Sequence, residues 1–229
     1  LLSWRGSADA SIARLRVRSL AAERLGVKAT FSGNAEQTAV EIDAEMAQLG
    51  GPGFAARSVN LGAKGTIGAK ARAIDGAIDF AQASGSAALR RSIVDSVRAL
   101  DGSPIGPLAD RAAAAIGRML ADASGNARFS LTGEGQNERI ELIAPKLTSA
   151  SGARIQGSAN SRIAYIFGTP APAVTIFGDW SFGGGDLPSG SLALERRADG
   201  NLSGLARFDA YDAKGARLAL APVRFSGNG

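Results

Sequence analysis

Glu41, Asp43 and Glu45 are the residues whose type and spacing come nearest to chemistry. Carboxylates two apart line one face of an extended strand, where a pair could act as general acid and base or ligate a hard cation. Paired acids do such work only when burial or neighbours drive their pKa values apart, and a solvated strand face offers neither. Asp209 and Asp212, flanking Tyr211, supply too few oxygen ligands for calcium. Gly183-Gly184-Gly185 is followed by Asp186-Leu187-Pro188, not by the Gly-Lys-Ser/Thr and helix of a phosphate-binding loop. Gly133-Glu134-Gly135-Gln136 fails the dinucleotide fingerprint likewise, since no helical pattern begins after it. Histidine and cysteine are both absent from the 229 residues. That composition excludes a Ser-His-Asp triad, a cysteine nucleophile, a zinc site built on His or Cys, and haem ligation by either. A carboxylate-only mechanism or a metal site built on oxygen ligands survives the exclusion; the expectation is a protein that is not an enzyme and needs no cofactor, with a carboxylate-based hydrolase as the catalytic rival.

The basic residues are equally spread. Lys and Arg total 26 against 21 Asp and Glu, a net charge of +5. Arg14, Arg16 and Arg18 alternate with Leu15 and Val17, which gives one strand a basic face and an apolar one. Nucleic-acid readers add aromatic platforms or a recognition helix to such a row, and aromatics are only 6% here. No nucleic-acid partner is expected, and the arginines read as a solvated, edge-protecting face.

The elements that carry these residues are mostly strands. Val40, Ile42, Ala44 and Met46 fall on one side of an alternating run and Glu41, Asp43 and Glu45 on the other, a sheet with one wet face. Val27 to Phe31 and Val59 to Ile67 continue the pattern, punctuated by Ser32-Gly33, Gly50 to Gly53 and Gly62. Glycine stands at 30 of 229, roughly 13% against a usual ~7%, and turn-rich β-structure is the expected reason. From Ser86 the period changes: Leu89, Ile93, Val94, Val97 and Leu100 are spaced as one helix face, with a stop predicted at Asp101-Gly102-Ser103-Pro104. Ile105, Leu108, Ala112, Ala115, Ile116, Met119 and Leu120 mark a second helix closed by Ser124-Gly125-Asn126. Residues 86–123 therefore read as a helical hairpin set between β-segments 1–85 and 124–229. In the last segment Phe129 and Leu131, Ile140 and Leu142, Ile163 and Tyr165, Leu192 and Leu194, and Leu218 and Leu220 sit two apart. The spacing is that of an antiparallel meander without a strict repeat, which leaves neither a propeller nor a leucine-rich solenoid.

Small residues dominate between the Leu, Ile and Val positions and large aromatics are few. Such faces could line a groove that leaves room for something apolar, or fill a plain sandwich core. Two phrases bear on that choice: Leu142-Ile143-Ala144-Pro145-Lys146-Leu147 running into Ser151-Gly152-Ala153-Arg154-Ile155, and Leu218-Ala219-Leu220-Ala221-Pro222-Val223-Arg224-Phe225. Together with the inserted Gly102-Ser103-Pro104-Ile105-Gly106-Pro107-Leu108, they resemble the AsmA-like bacterial envelope proteins, in particular the YdbH-like branch related to TamB. The resemblance covers most of the chain, and none of its motifs is a catalytic signature.

The resemblance implies a long, curved antiparallel sheet, a half-pipe or taco-like groove with one inserted helical hairpin. It implies a segment of a bridge-like protein whose apolar groove conducts phospholipids between the inner and outer membranes. Its location would be the periplasm, with the parent chain tethered to the inner membrane. The partners are then phospholipid acyl chains and, through regions outside this segment, the two membranes. The sequence begins at Leu1 without Met or a signal and stops at Gly229, so it reads as one continuous piece of a longer chain. Groove-lining candidates, chosen for their two-residue spacing, are Ile140, Leu142, Ile163, Leu192, Leu194, Leu218 and Leu220. The alternative is a structural or adhesive β-module of a surface or envelope protein that transfers no lipid.

Overall fold

Residues 3–17, 20–51, 54–98, 106–134, 137–167, 173–213 and 216–228 are described by a computed structural model of the chain. The first five strands are β1 (Ser3–Val17), β2 (Leu20–Asn34), β3 (Gln37–Gly51), β4 (Phe54–Gly68) and β5 (Ala71–Gly85). Each has 15 residues, and their first residues recur every 17 positions. The repeat is visible in the residues at a double period of 34: Leu20-Ala21-Ala22-Glu23 in β2 matches Phe54-Ala55-Ala56-Arg57 in β4. The expectation of a meander without strict repeat is thus corrected over this stretch. Alternation alone hides the period, because apolar identity varies from strand to strand while length does not.

Two helices follow, α1 (Ala87–Arg98) and α2 (Gly106–Met119), where the change of period placed them. The expected stop at 101–104 lies outside the described residues, as do the Leu89, Ile93 and Val97 side chains. Then come β6 (Ala123–Glu134), β7 (Asn137–Ser149), β8 (Arg154–Gly157), β9 (Arg162–Phe167), β10 (Ala173–Gly184), β11 (Leu187–Arg196) and β12 (Asn201–Phe208). The chain ends with β13 (Tyr211–Ala213), β14 (Ala216–Leu218) and β15 (Val223–Asn228). Thirteen strands form one sheet in which every strand pairs antiparallel with its neighbours, in chain order except that β12 is followed by β15. β13 and β14 make a separate two-stranded ladder.

β8 and β9 occupy one lane between β7 and β10, as two halves of a broken strand. The break is filled by Ser161, fully buried, whose Oγ donates to the Asp179 carbonyl at 2.6 Å and whose own carbonyl accepts from Ala144 N at 3.0 Å. Gly178, at φ 118°, lies under Ser161: a Cβ there would come within 2.6 Å of the Ser161 Cα. A side chain at 178 is forbidden on both counts.

A second irregularity runs across β1 to β5. Arg14, Gln48 and Gln82 have φ of 55°, 51° and 50°, each at the same height on alternate strands. Glu23 and Arg57 stand opposite them on the intervening strands, and the ladders skip these positions. β6 has no such extra residue, so the register shifts between Phe80, opposite Gly125, and Ala83, opposite Ala123. Gly125 and Ala123 are two apart and share a face, so Phe80 and Ala83, three apart, share it too. The constant ladders carry this back through Val59 and Ala56, Met46 and Leu49, Leu25 and Ala22, to Ile12 and Leu15. Each of the five strands therefore holds one extra residue at the same level, and apolar parity flips there. Strict alternation, the rule used to read the sequence, misses this. The inserted residues bend and twist the strands locally, which contributes to the curvature of the sheet.

Candidate functional site: the apolar sheet face

Directly paired residues of an antiparallel ladder lie on the same face, so the registers sort all thirteen strands into two surfaces. One is polar. Ser7, Thr30, Glu41, Lys64, Asp75, Ser130 and Glu141 form one continuous row of it across β1 to β7. Glu41, Asp43 and Glu45 are all exposed there, and Glu41 stands between Thr30 and Lys64. That is the solvated face the alternation implied. Among the described residues no group of three acidic side chains is placed to hold a metal ion.

The other surface is apolar in row after row. Ile12, Leu25, Met46, Val59, Phe80, Gly125, Leu147, Ile155, Phe182, Gly190 and Phe208 follow one another across eleven lanes. A parallel row runs through Phe31, Val40, Ile74, Leu131, Ile140 and Tyr165 to Val174. Charge intrudes in two places and is answered in both. Arg72 reaches across Gly133 to Glu138 at 2.7 Å on the outer end of the strands, and the Arg196 guanidinium donates to the Val174 carbonyl.

Glycines sit within these rows, opposite aromatic rings. A Cβ at Gly6 would meet the Phe31 ring at 2.5 Å, at Gly51 the Phe54 ring at 2.4 Å, and at Gly76 the Phe129 ring at 2.6 Å. Gly125 under Phe80, Gly190 under Phe182 and Gly204 under Phe225 repeat the arrangement. The rings lie down over bare backbone on the neighbouring strand instead of standing off the sheet. The expectation that glycine marks turns is corrected here: Gly33 and Gly62 also lie inside strands, not between them. Asp199-Gly200, by contrast, is a turn, with Gly200 at φ 89° and the Asp199 carboxylate accepting from Asn201 N at 2.9 Å.

One end of the apolar face is covered. Ala115 and Met119 of α2 pack with Ala123, Ala153 and Leu187, against Phe80, Leu147, Ile155 and Phe182. Arg118 of α2 pairs with Asp186 in the β10–β11 turn at 2.7 Å. Away from that cluster no further buried hydrophobic cluster is built on the face among the described residues. Of the ten large apolar residues that stand exposed among the described residues, nine are on this face: Trp4, Ile12, Val17, Leu20, Phe31, Phe54, Ile67, Tyr165 and Phe167. Phe177 alone points to the other side, between Arg162 and Glu195.

The structure brings five of the seven candidates together. Ile140 pairs with Tyr165, Leu142 with Ile163, Leu192 with Trp180 and Leu194 with Gly178, all half-buried on the apolar face. Leu218 and Leu220 are not in the sheet. Leu218 ends β14 in the separate ladder and Leu220 belongs to no strand. The reason is local: Pro222 interrupts the alternating run, and the sheet resumes only at Val223. All seven candidates lie after the helices, although β1–β5 bring as many large apolar residues to the face, among them Ile12, Leu25, Met46, Val59 and Phe80. The periodic Ala-Ala phrases of β2 and β4 were the signal that could have found them. Trp180 lies on the same face, 9% exposed, and its indole Nε1 has no hydrogen-bond acceptor among the described residues.

Comparison with protein-family models, curated proteins and solved structures yields no match to this chain. No helix among the described residues is long and apolar enough to cross a membrane.

Proposed function

We propose that the chain is a segment of a bridge-like envelope protein, and that its apolar sheet face shields phospholipid acyl chains on their way between inner and outer membranes. On this reading the segment lies in the periplasm and its parent is held at the inner membrane. The observation that carries it is the gathering, among the described residues, of nine of ten exposed large apolar side chains on one face of a single sheet. A soluble protein leaves such a surface open only where something apolar is to cover it. An acyl chain moved through water costs ~0.8 kcal/mol for each exposed methylene, and a continuous lining removes most of that barrier. The lining must grip without direction. Glycines roofed by flat rings and rows of Ala, Val, Ile and Leu give contact area with few polar anchors.

The test is extraction. Protein purified without detergent is extracted with organic solvent and the extract analysed by mass spectrometry, with phospholipid expected. A lipid-free, monomeric protein that binds no apolar dye overturns the reading and favours the structural or adhesive module.

A further inference from the structure

We infer that a phospholipid on the apolar face lies with its phosphate at one rim of the sheet, bound by Arg196, and with its acyl chains pointing toward α2. The inference rests on the lipid-shielding reading of that face and adds to it a direction and a charged contact. Among the described residues three charged side chains stand in the paired rows of the face: Arg72, Glu138 and Arg196. Arg72 and Glu138 each follow the first residue of their strand, β5 and β7, and Arg196 ends β11. All three therefore lie at the rim where β1 begins. The opposite rim carries Val17, Leu20 and Phe54, and α2 packs on that side. Trp4 and Tyr165, each an apolar ring with a polar tip, are exposed in the two outermost rows of the charged rim.

Arg196 differs from the other two. Arg72 and Glu138 neutralise each other at 2.7 Å. Arg196 stands half-buried between Ile176 and Leu202, and its guanidinium donates to the Val174 carbonyl, beyond the last β10–β11 pair. That carbonyl answers one of five N–H groups and none of the charge. Among the described residues no carboxylate pairs with it: Glu195 lies on the other face with Arg197 at 2.8 Å, and Asp199 accepts from Asn201. A cation among aliphatic side chains is costly without an anion, and two phosphate oxygens fit its planar fork. A phosphate joined to acyl chains suits both the guanidinium and its surroundings, whereas a free phosphate suits only the first. Half the hydrocarbon thickness of a bilayer is about 15 Å, or roughly four to five strand residues. From Arg196 that length runs over Leu194 and Leu192 and stops short of Phe182, at the edge of the α2 cluster.

The experiment uses the 229-residue chain and two lipids with the same acyl chains, dioleoylphosphatidylglycerol and dioleoylglycerol, each displacing an apolar dye. The phospholipid is expected to bind about tenfold more tightly. Arg196→Gln keeps an N–H for the Val174 carbonyl but loses the charge, and the ratio of the two affinities is expected to fall to about one. Arg196→Met serves as a second charge-free variant, and Arg196→Lys is expected to keep part of the preference. A purely structural role would lower both affinities together and leave their ratio unchanged. Lys64→Met removes a positive charge from the polar face and is expected to keep the tenfold ratio. Equal binding of the two lipids by the parent, or an undiminished ratio in the charge-free variants, overturns the inference and leaves lipid shielding standing. Inorganic phosphate at the concentration of the lipid is expected to change nothing. If it erases the preference, the site is one for free phosphate and the lipid assignment falls. If neither lipid displaces the dye, the lipid-shielding reading fails and this inference with it.

Discussion

Gly76 and Gly26 occupy comparable mid-strand positions and do opposite things. A Cβ at 76 would lie 2.3 Å from the Gly62 carbonyl oxygen and 2.6 Å from the Phe129 ring, whereas one at 26 would meet nothing within 4 Å. Gly76→Val is expected to cost about 1–3 kcal/mol, because ring and neighbouring backbone must both move. Gly26→Val is expected to lie within about 0.5 kcal/mol of the parent or to stabilise it, since a β-branched residue suits an open strand position. Urea denaturation of the two variants measures the contrast, and equal losses would show that the rings do not depend on bare backbone beneath them. The left-handed residues make a second test at this scale. Gln48→Gly removes a side chain from φ 51° and is expected to be neutral or stabilising by up to ~1 kcal/mol. Deleting Gln48 instead takes out the extra residue, turns one end of β3 over, and is expected to abolish cooperative unfolding. If deletion is tolerated as well as the glycine, the step is not what aligns the rows.

At the scale of elements, the α1–α2 hairpin and the β8–β9 break are the two departures from a plain meander. α2 provides the only helical cover of the apolar face among the described residues, through Met119, 3% exposed, and Ala115, 1% exposed. Met119→Ala is expected to lose about 2–5 kcal/mol, as core truncations do. Trp4→Ala, at a side chain 39% exposed with no helix over it, is expected to lose much less. Thermal or urea unfolding separates them, and a Trp4 loss as large as that of Met119 would mean that a second layer covers the β1 end of the sheet. The break between β8 and β9 is held by Ser161 over Gly178, a pairing that no alternation of apolar residues announces. Its sequence signs are only small residues: Ser158, Ala159, Asn160 and Ser161 against a glycine 17 positions further on.

At the scale of the whole molecule, a one-layer sheet separates folding from function in a way a sandwich does not. A charge placed on its apolar face has water within reach of a long side chain, so the fold can survive what an acyl chain cannot tolerate. Burying an unpaired charge costs several kcal/mol, and an open face lets the carboxylate stay in water and avoid most of that cost. Leu142→Asp and Leu194→Glu, both at half-buried positions, are expected to leave the full-length parent folded and abundant while stopping lipid transfer. Transfer between donor and acceptor vesicles, with circular dichroism and expression level alongside, is the measurement. Degraded or insoluble variants would place these residues in a packed core, and normal transfer would remove the conduit.

Much of this was legible in the chain itself. The absence of His and Cys excluded whole classes of chemistry, because no fold can supply a missing functional group. The shift from period two to period 3.6 after Ser86 located the hairpin to within a few residues, since side-chain periodicity is a local property of the backbone. Alternation also put Ile140, Leu142, Ile163, Leu192 and Leu194 on one surface. What the tertiary structure decided was everything that depends on a neighbouring strand. A glycine inside a strand and a glycine in a turn look alike until the opposite residue is known, and only the register reveals the ring above Gly76. Arg14, Gln48 and Gln82 are ordinary polar residues in sequence, and they become a seam because ladders of equal length bring them level. Leu218 and Leu220 keep the right spacing yet leave the sheet, because spacing fixes which way side chains point and not which strand, if any, lies alongside to receive them.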